Sequence, residues 1–109
     1  MYEYKEYVAT SEPNKFIKFA ISFNKDTYHW ATGQSKQKGY QLVATPVERG
    51  DMFETSTAFT GFFKIIFPVE RKSKKRLEEA IRNFKRDKKD YLKYFINQGF
   101  SIPEMDNTK

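Results

Sequence analysis

Cysteine is absent, which excludes disulfides and thiolate metal sites and favours an intracellular setting. Histidine occurs once, at His29, so a histidine-based metal site would need carboxylates to complete it. No run approaches the roughly 18–20 apolar residues of a membrane span. Residues 1–15 lack the basic-then-apolar order of a secretion signal. No G-x-x-x-x-G-K loop precedes a helix, and no internal repeat or low-complexity segment is found. The absences point to one cytoplasmic, non-enzymatic domain of 109 residues with no cofactor.

Charge is present but unevenly placed. Residues 1–70 carry eight cations and eight anions, whereas residues 71–109 carry twelve Lys/Arg against six Asp/Glu, the whole net charge of +6. A neutral, aromatic-rich body with a basic C-terminal third is attracted to a polyanion. The alternative is a well-solvated helix whose lysines aid solubility.

The basic third reads as one helix over residues 73–98. Leu77, Ala80, Ile81, Phe84, Tyr91, Leu92 and Phe95 recur at helical spacing, a stripe that must pack on something. Lys75, Arg82, Arg86, Lys89 and Lys93 recur at the same period. At about 100° per residue they fall within about 60° of one another on the opposite side, in a row roughly 25–30 Å long. Ser73 is placed to cap the helix start, Gly99 to end it in the left-handed region, and Pro103 lies shortly beyond. Lys74, Lys75 and Arg76 crowd the first turn, where each cation opposes the helix dipole at roughly 0.3–1 kcal/mol. Such a helix start favours phosphate or carboxylate.

Upstream, strands are expected from about 15 to 67, with residues 1–14 and 100–109 peripheral. Residues 2–9 are an edge strand or a loose arm. Ile17, Phe19, Ile21 and Phe23 alternate with Phe16, Lys18, Ala20 and Ser22, the pattern of a half-buried strand. Asn24-Lys25-Asp26 predicts a tight turn into a second strand at 27–32. Gly33–Gly39 is a polar loop with Lys36 and Lys38 near its tip, able to close on a ligand. Residues 40–45 form a third strand stopped by Pro46. Residues 52–60 and 62–67 supply two more, and the tail from Ser101 is frayed. The fold class is therefore α+β: an antiparallel meander of about four to five strands packed against one long C-terminal amphipathic helix.

Binding candidates divide between two surfaces. On the sheet face away from the helix, Phe16, Tyr28, Trp30 and Tyr40 are candidates to stack bases, beside Lys18, Lys36 and Lys38. Ordinary core packing accounts for the same rings. On the helix, Lys74, Lys75, Arg76, Arg82, Arg86, Lys89 and Lys93 are the candidates to hold phosphates. Glu48, Asp51 and Glu54 are spaced like a magnesium-binding cluster, but they sit at a turn where Arg49 is expected to pair with one of them. A basic amphipathic helix can also lie on an anionic membrane, yet here its apolar stripe is needed by the sheet, so no membrane partner is expected.

The layout resembles that of the Whirly-type and positive-cofactor-type single-stranded DNA-binding domains, in architecture only. A second resemblance rests on residues. Gly39-Tyr40-Gln41-Leu42, then Pro46-Val47-Glu48-Arg49, Ala58-Phe59-Thr60-Gly61 and Lys72-Ser73-Lys74-Lys75, is similar to small proteins of bacterial conjugative and mobilisable elements, over about a third of the chain. The resemblance implies a mobile-element setting in a bacterial host cell, where small proteins handle DNA or blunt host defence. Two functions are therefore expected. One is a nucleic-acid-binding protein preferring single strands. The other is an anti-CRISPR-type inhibitor that binds a host nucleoprotein such as a Cas effector. A homodimer is compatible with either.

Overall fold

Alternation of side chains builds the sheet. In the computed structural model, which describes residues 3–28, 36–50, 52–56, 63–68 and 72–106, five strands run antiparallel. β1 (Glu3–Ala9) pairs with β2 (Lys15–Tyr28), and β2 pairs with β3 (Lys36–Arg49). The far edge of β3 takes β4 (Glu54–Ser56) at 47–49 and β5 (Phe63–Pro68) at 39–44, so five strands fill four lanes. The helix α1 (Lys74–Asn97) crosses one face, and a short α2 (Pro103–Asp106) follows. This is the expected meander packed against a long C-terminal helix. Among the described residues, no helix is long and apolar enough to cross a membrane.

The core is the meeting of two stripes. From the sheet come Val8, Ile17, Phe19, Ile21, Tyr40, Leu42 and Ala44; from α1 come Leu77, Ala80, Phe84, Leu92 and Phe95. Phe84 sits at the centre. Its ring lies 4.8 Å from Phe19, 6.1 Å from Tyr4 and 6.2 Å from Tyr91. Burying each such ring contributes about 1.5–3 kcal/mol.

Both helix ends follow local chemistry. Ser73 is extended, and its hydroxyl accepts from the Arg76 amide at 3.4 Å. At the other end Gly99 adopts φ 107°, the Phe100 amide bonds the Phe95 carbonyl, and the Gly99 amide bonds that of Ile96. That is a Schellman motif, completed by the Phe95–Phe100 ring contact at 6.0 Å.

Several expectations fail where long-range pairing overrides local turn signals. Asn24-Lys25-Asp26 is no hairpin turn: β2 runs through it, and a register shift between Asn24 and Thr27 absorbs the extra residue as a bulge. Lys36 and Lys38 are strand positions of β3 instead of a loop tip. Nor does Pro46 stop the third strand, which continues to Arg49. The Arg49 amide bonds the Asn14 carbonyl on the β2 side. Alternation then turns position 46 toward the opposite edge, between the stretches paired with β4 and β5. A missing N–H costs little there.

The segments flanking the sheet and helix resolve one open alternative and correct one expectation. Residues 3–9 are the edge strand β1 rather than an arm. Thr10 organises the turn behind it, accepting from the Glu12 amide at 3.2 Å and donating to the Lys15 carbonyl at 2.9 Å. The tail is not frayed at Ser101 and Ile102. The Ser101 carbonyl accepts from the Ser11 amide at 2.9 Å, and Ile102 is fully buried.

Candidate polyanion-binding surface

The exposed side of α1 carries the cations that the helical period placed there. Lys74, Lys75, Arg76, Arg82, Arg86, Lys89 and Lys93 are all exposed. They differ in how they are engaged. Arg86 grips its neighbour Asp87 through Nε (3.1 Å) and Nη2 (3.0 Å), a contact that raises the arginine pKa and lowers that of the acid. Arg76 meets Glu79 at 3.0 Å, and Lys93 lies 3.9 Å from Asp90. Lys74, Lys75, Arg82 and Lys89 have no ion pair among the described residues. Three of these, Lys75, Arg82 and Lys89, recur every seven residues, which sets them about 10 Å apart along one side of the helix.

Lys88 shows the contrast. It projects from the buried side of α1 and meets Glu6 of β1 and, at 3.1 Å, Glu104 of α2. Burial pushes the Glu6 carboxyl up, but hydrogen bonds from Lys88 and Tyr4 more than offset this, and its pKa lies below the usual value. Burial and the bond to Glu6 together push the Tyr4 hydroxyl up to about 12. Lys88 therefore ties helix, edge strand and C-terminal segment together. Its sequence signal was a position at the centre of the apolar stripe, four residues from both Phe84 and Leu92.

Of the rings expected to stack on the sheet's open face, Tyr40 lies on the other side. Tyr40 is fully buried on the helix side, in phase with Leu42 and Ala44. Its hydroxyl donates to the Ser73 carbonyl (3.0 Å) and accepts from the Ser73 amide (3.1 Å). The period of two puts it there, so it anchors the helix start and is not a stacking platform. Trp30 lies outside the described residues, as do the side chains of Tyr28, Lys36 and Lys38.

Phe16 and Lys18 do occupy the other face, half-buried and already engaged. The Phe16 ring meets Tyr7 edge-on at 6.2 Å. Lys18 Nζ contacts Glu54 Oε2 at 2.6 Å, while the Tyr7 hydroxyl donates to Glu54 Oε1 at 2.5 Å. The Arg49 guanidinium lies 4.3 Å over the Tyr7 ring, with Nε 3.8 Å from Glu54 Oε1. Arg49 thus pairs with one of the three acids as expected, although Glu54 stands in β4 and not in the turn. The hydrogen bond from Lys18, then that from Tyr7, holds the Glu54 carboxyl below its usual pKa. The same bonds raise the pKa of Lys18 and of Tyr7.

Glu54 turns to these partners, and no group of three metal-ligating side chains forms among the described residues. Asp51 and His29 lie outside them. Tyr7 was missed because its strand is short and charged, and only the β1–β2 register brings it beside Lys18.

No family model matches the chain, and comparison with curated proteins and with solved structures finds no match.

Proposed function

We propose that this chain binds nucleic acid by its phosphate backbone, through the exposed face of α1, in the setting of a bacterial mobile element. The observation that carries the reading is the line of Lys75, Arg82 and Lys89, exposed and without ion pairs among the described residues, on a helix docked by its other face. Lysine and arginine that neutralise phosphates release counterions, giving affinity without sequence choice. Base stacking has no part in this reading, since Tyr40 is core and Phe16 and Lys18 are engaged. Single-strand preference therefore becomes a quantity to measure. The test is fluorescence anisotropy with labelled single-stranded DNA, duplex DNA and RNA over a salt series, on the native chain and on Arg82→Glu/Lys89→Glu. Weaker binding with a shallower salt slope in the variant supports the proposal; unchanged affinity overturns it.

A second reading is an inhibitor that docks on a host defence nucleoprotein such as a Cas effector. What favours it is the β3–β4 turn, where Met52 is 95% exposed and Phe53 63%, two adjacent apolar side chains turned to solvent. It requires a stoichiometric complex that survives nuclease treatment and is lost in Met52→Ser/Phe53→Ser.

A further inference from the structure

We infer that Tyr7, Lys18 and Arg49 form a second anion site, a cradle for a phosphate group, in which the Glu54 carboxylate sits as a built-in occupant. The three donors come from three strands, β1, β2 and β3, and converge on one carboxylate. Two cations face one acid, so the cluster keeps an excess positive charge. Arg49 is the informative member. Its side chain is 48% exposed, and its guanidinium is spread over the Tyr7 ring without a hydrogen bond to another described residue. A planar fork with unused donors beside a lysine and a tyrosine hydroxyl suits the several oxygens of a phosphate better than a single carboxylate.

The occupant also comes from the shortest strand of the cluster. β4 has three residues, and Met52 and Phe53 before it are exposed. The cradle residues, by contrast, lie in ladders of seven and fourteen residues. Glu54 acts as a competing internal ligand, and the apparent affinity for phosphate scales with the fraction of time Glu54 is away from the cradle. This site stands on the face away from α1 and does not depend on the helix binding anything.

The test is a titration with inorganic phosphate at constant ionic strength, followed by the ¹H–¹⁵N shifts of Tyr7, Lys18 and Arg49. It is run on the native chain, Glu54→Gln and Glu54→Ala. Both variants should show saturable shifts at these three residues with tighter apparent binding than the native chain. A gain of about ten-fold corresponds to Glu54 filling the cradle about nine-tenths of the time. Adding Lys18→Ala and Arg49→Ala to the Glu54→Ala variant should remove the gain. No gain in folded variants, or a gain that survives loss of both cations, overturns the proposal. Loss of the folded spectrum in both single variants also overturns it, because Glu54 is then a structural strut. The amides of Arg82 and Lys89 report on the helix face in the same spectra, so failure there is read separately.

Discussion

The hydroxyl of Tyr40 holds both backbone groups of Ser73, donating to its carbonyl at 3.0 Å and accepting from its amide at 3.1 Å. The Ser73 carbonyl also accepts the first bond of the helix, from the Leu77 amide at 3.0 Å. A central strand thus fixes where α1 begins, and the start of the cation row is placed by a buried side chain.

Removing that hydroxyl leaves the ring in place and the Ser73 amide without its partner. Tyr40→Phe is expected to destabilise the fold by about 1–3 kcal/mol. Denaturant unfolding checks the magnitude. Hydrogen exchange should show faster exchange at residues 73–77 than at the helix centre.

Acid should weaken the Glu6–Lys88–Glu104 tie. The folded pKa of Glu6 is lowered from about 4.5, so its contribution is fully present above that value and is lost as pH falls through the folded one. Lys88→Met removes the cation that opposes burial. It should cost about 1–2 kcal/mol near neutrality, less than for a fully buried pair, because Lys88 and Glu6 keep 21% and 23% exposure. Stability of the variant should also depend less on pH in the acid range. Urea midpoints from pH 3 to 7 test both expectations.

Ile102→Ala is expected to cost about 2–5 kcal/mol, the range for emptying a packed aliphatic site. A frayed tail would give almost no change. Thermal unfolding decides between the two.

Gly99→Ala is a conformational test with no steric component. A Cβ there meets nothing within 4 Å, but φ is 107°. The loss should be about 1 kcal/mol, from backbone strain alone. Gly99→Asn should lose less, since asparagine tolerates left-handed backbone. Equal losses for the two would refute this account.

If Lys75, Arg82 and Lys89 each meet one phosphate, the log–log salt slope should be about −2 for single strands and about −3 for duplex. Replacing any one by alanine should reduce the slope by about one contact. Anisotropy over a salt series measures it.

The helix was legible residue by residue: its stripe, its Ser73 cap, its Gly99 end and the cations opposite. Each of these depends on neighbours within four residues in sequence. The sheet's buried face at Ile17, Phe19 and Ile21 was legible for the same reason, since alternation is local. Tyr40 could have been assigned too, because it alternates in phase with Leu42 and Ala44, and reading it as a stacking ring neglected that phase. Tertiary structure alone decided the rest. β2 passes through Asn24-Lys25-Asp26, and β3 through Pro46, because pairing with strands far along the chain outweighs a turn preference of a few residues. Glu54 reaches Tyr7 across 47 positions, and Lys88 reaches Glu6, by registers that no local pattern encodes. Periodicity in the sequence therefore determined which side chains face inward. Which charged groups meet on the two outer faces was settled only when the strands paired, because ion pairing depends on distance in space.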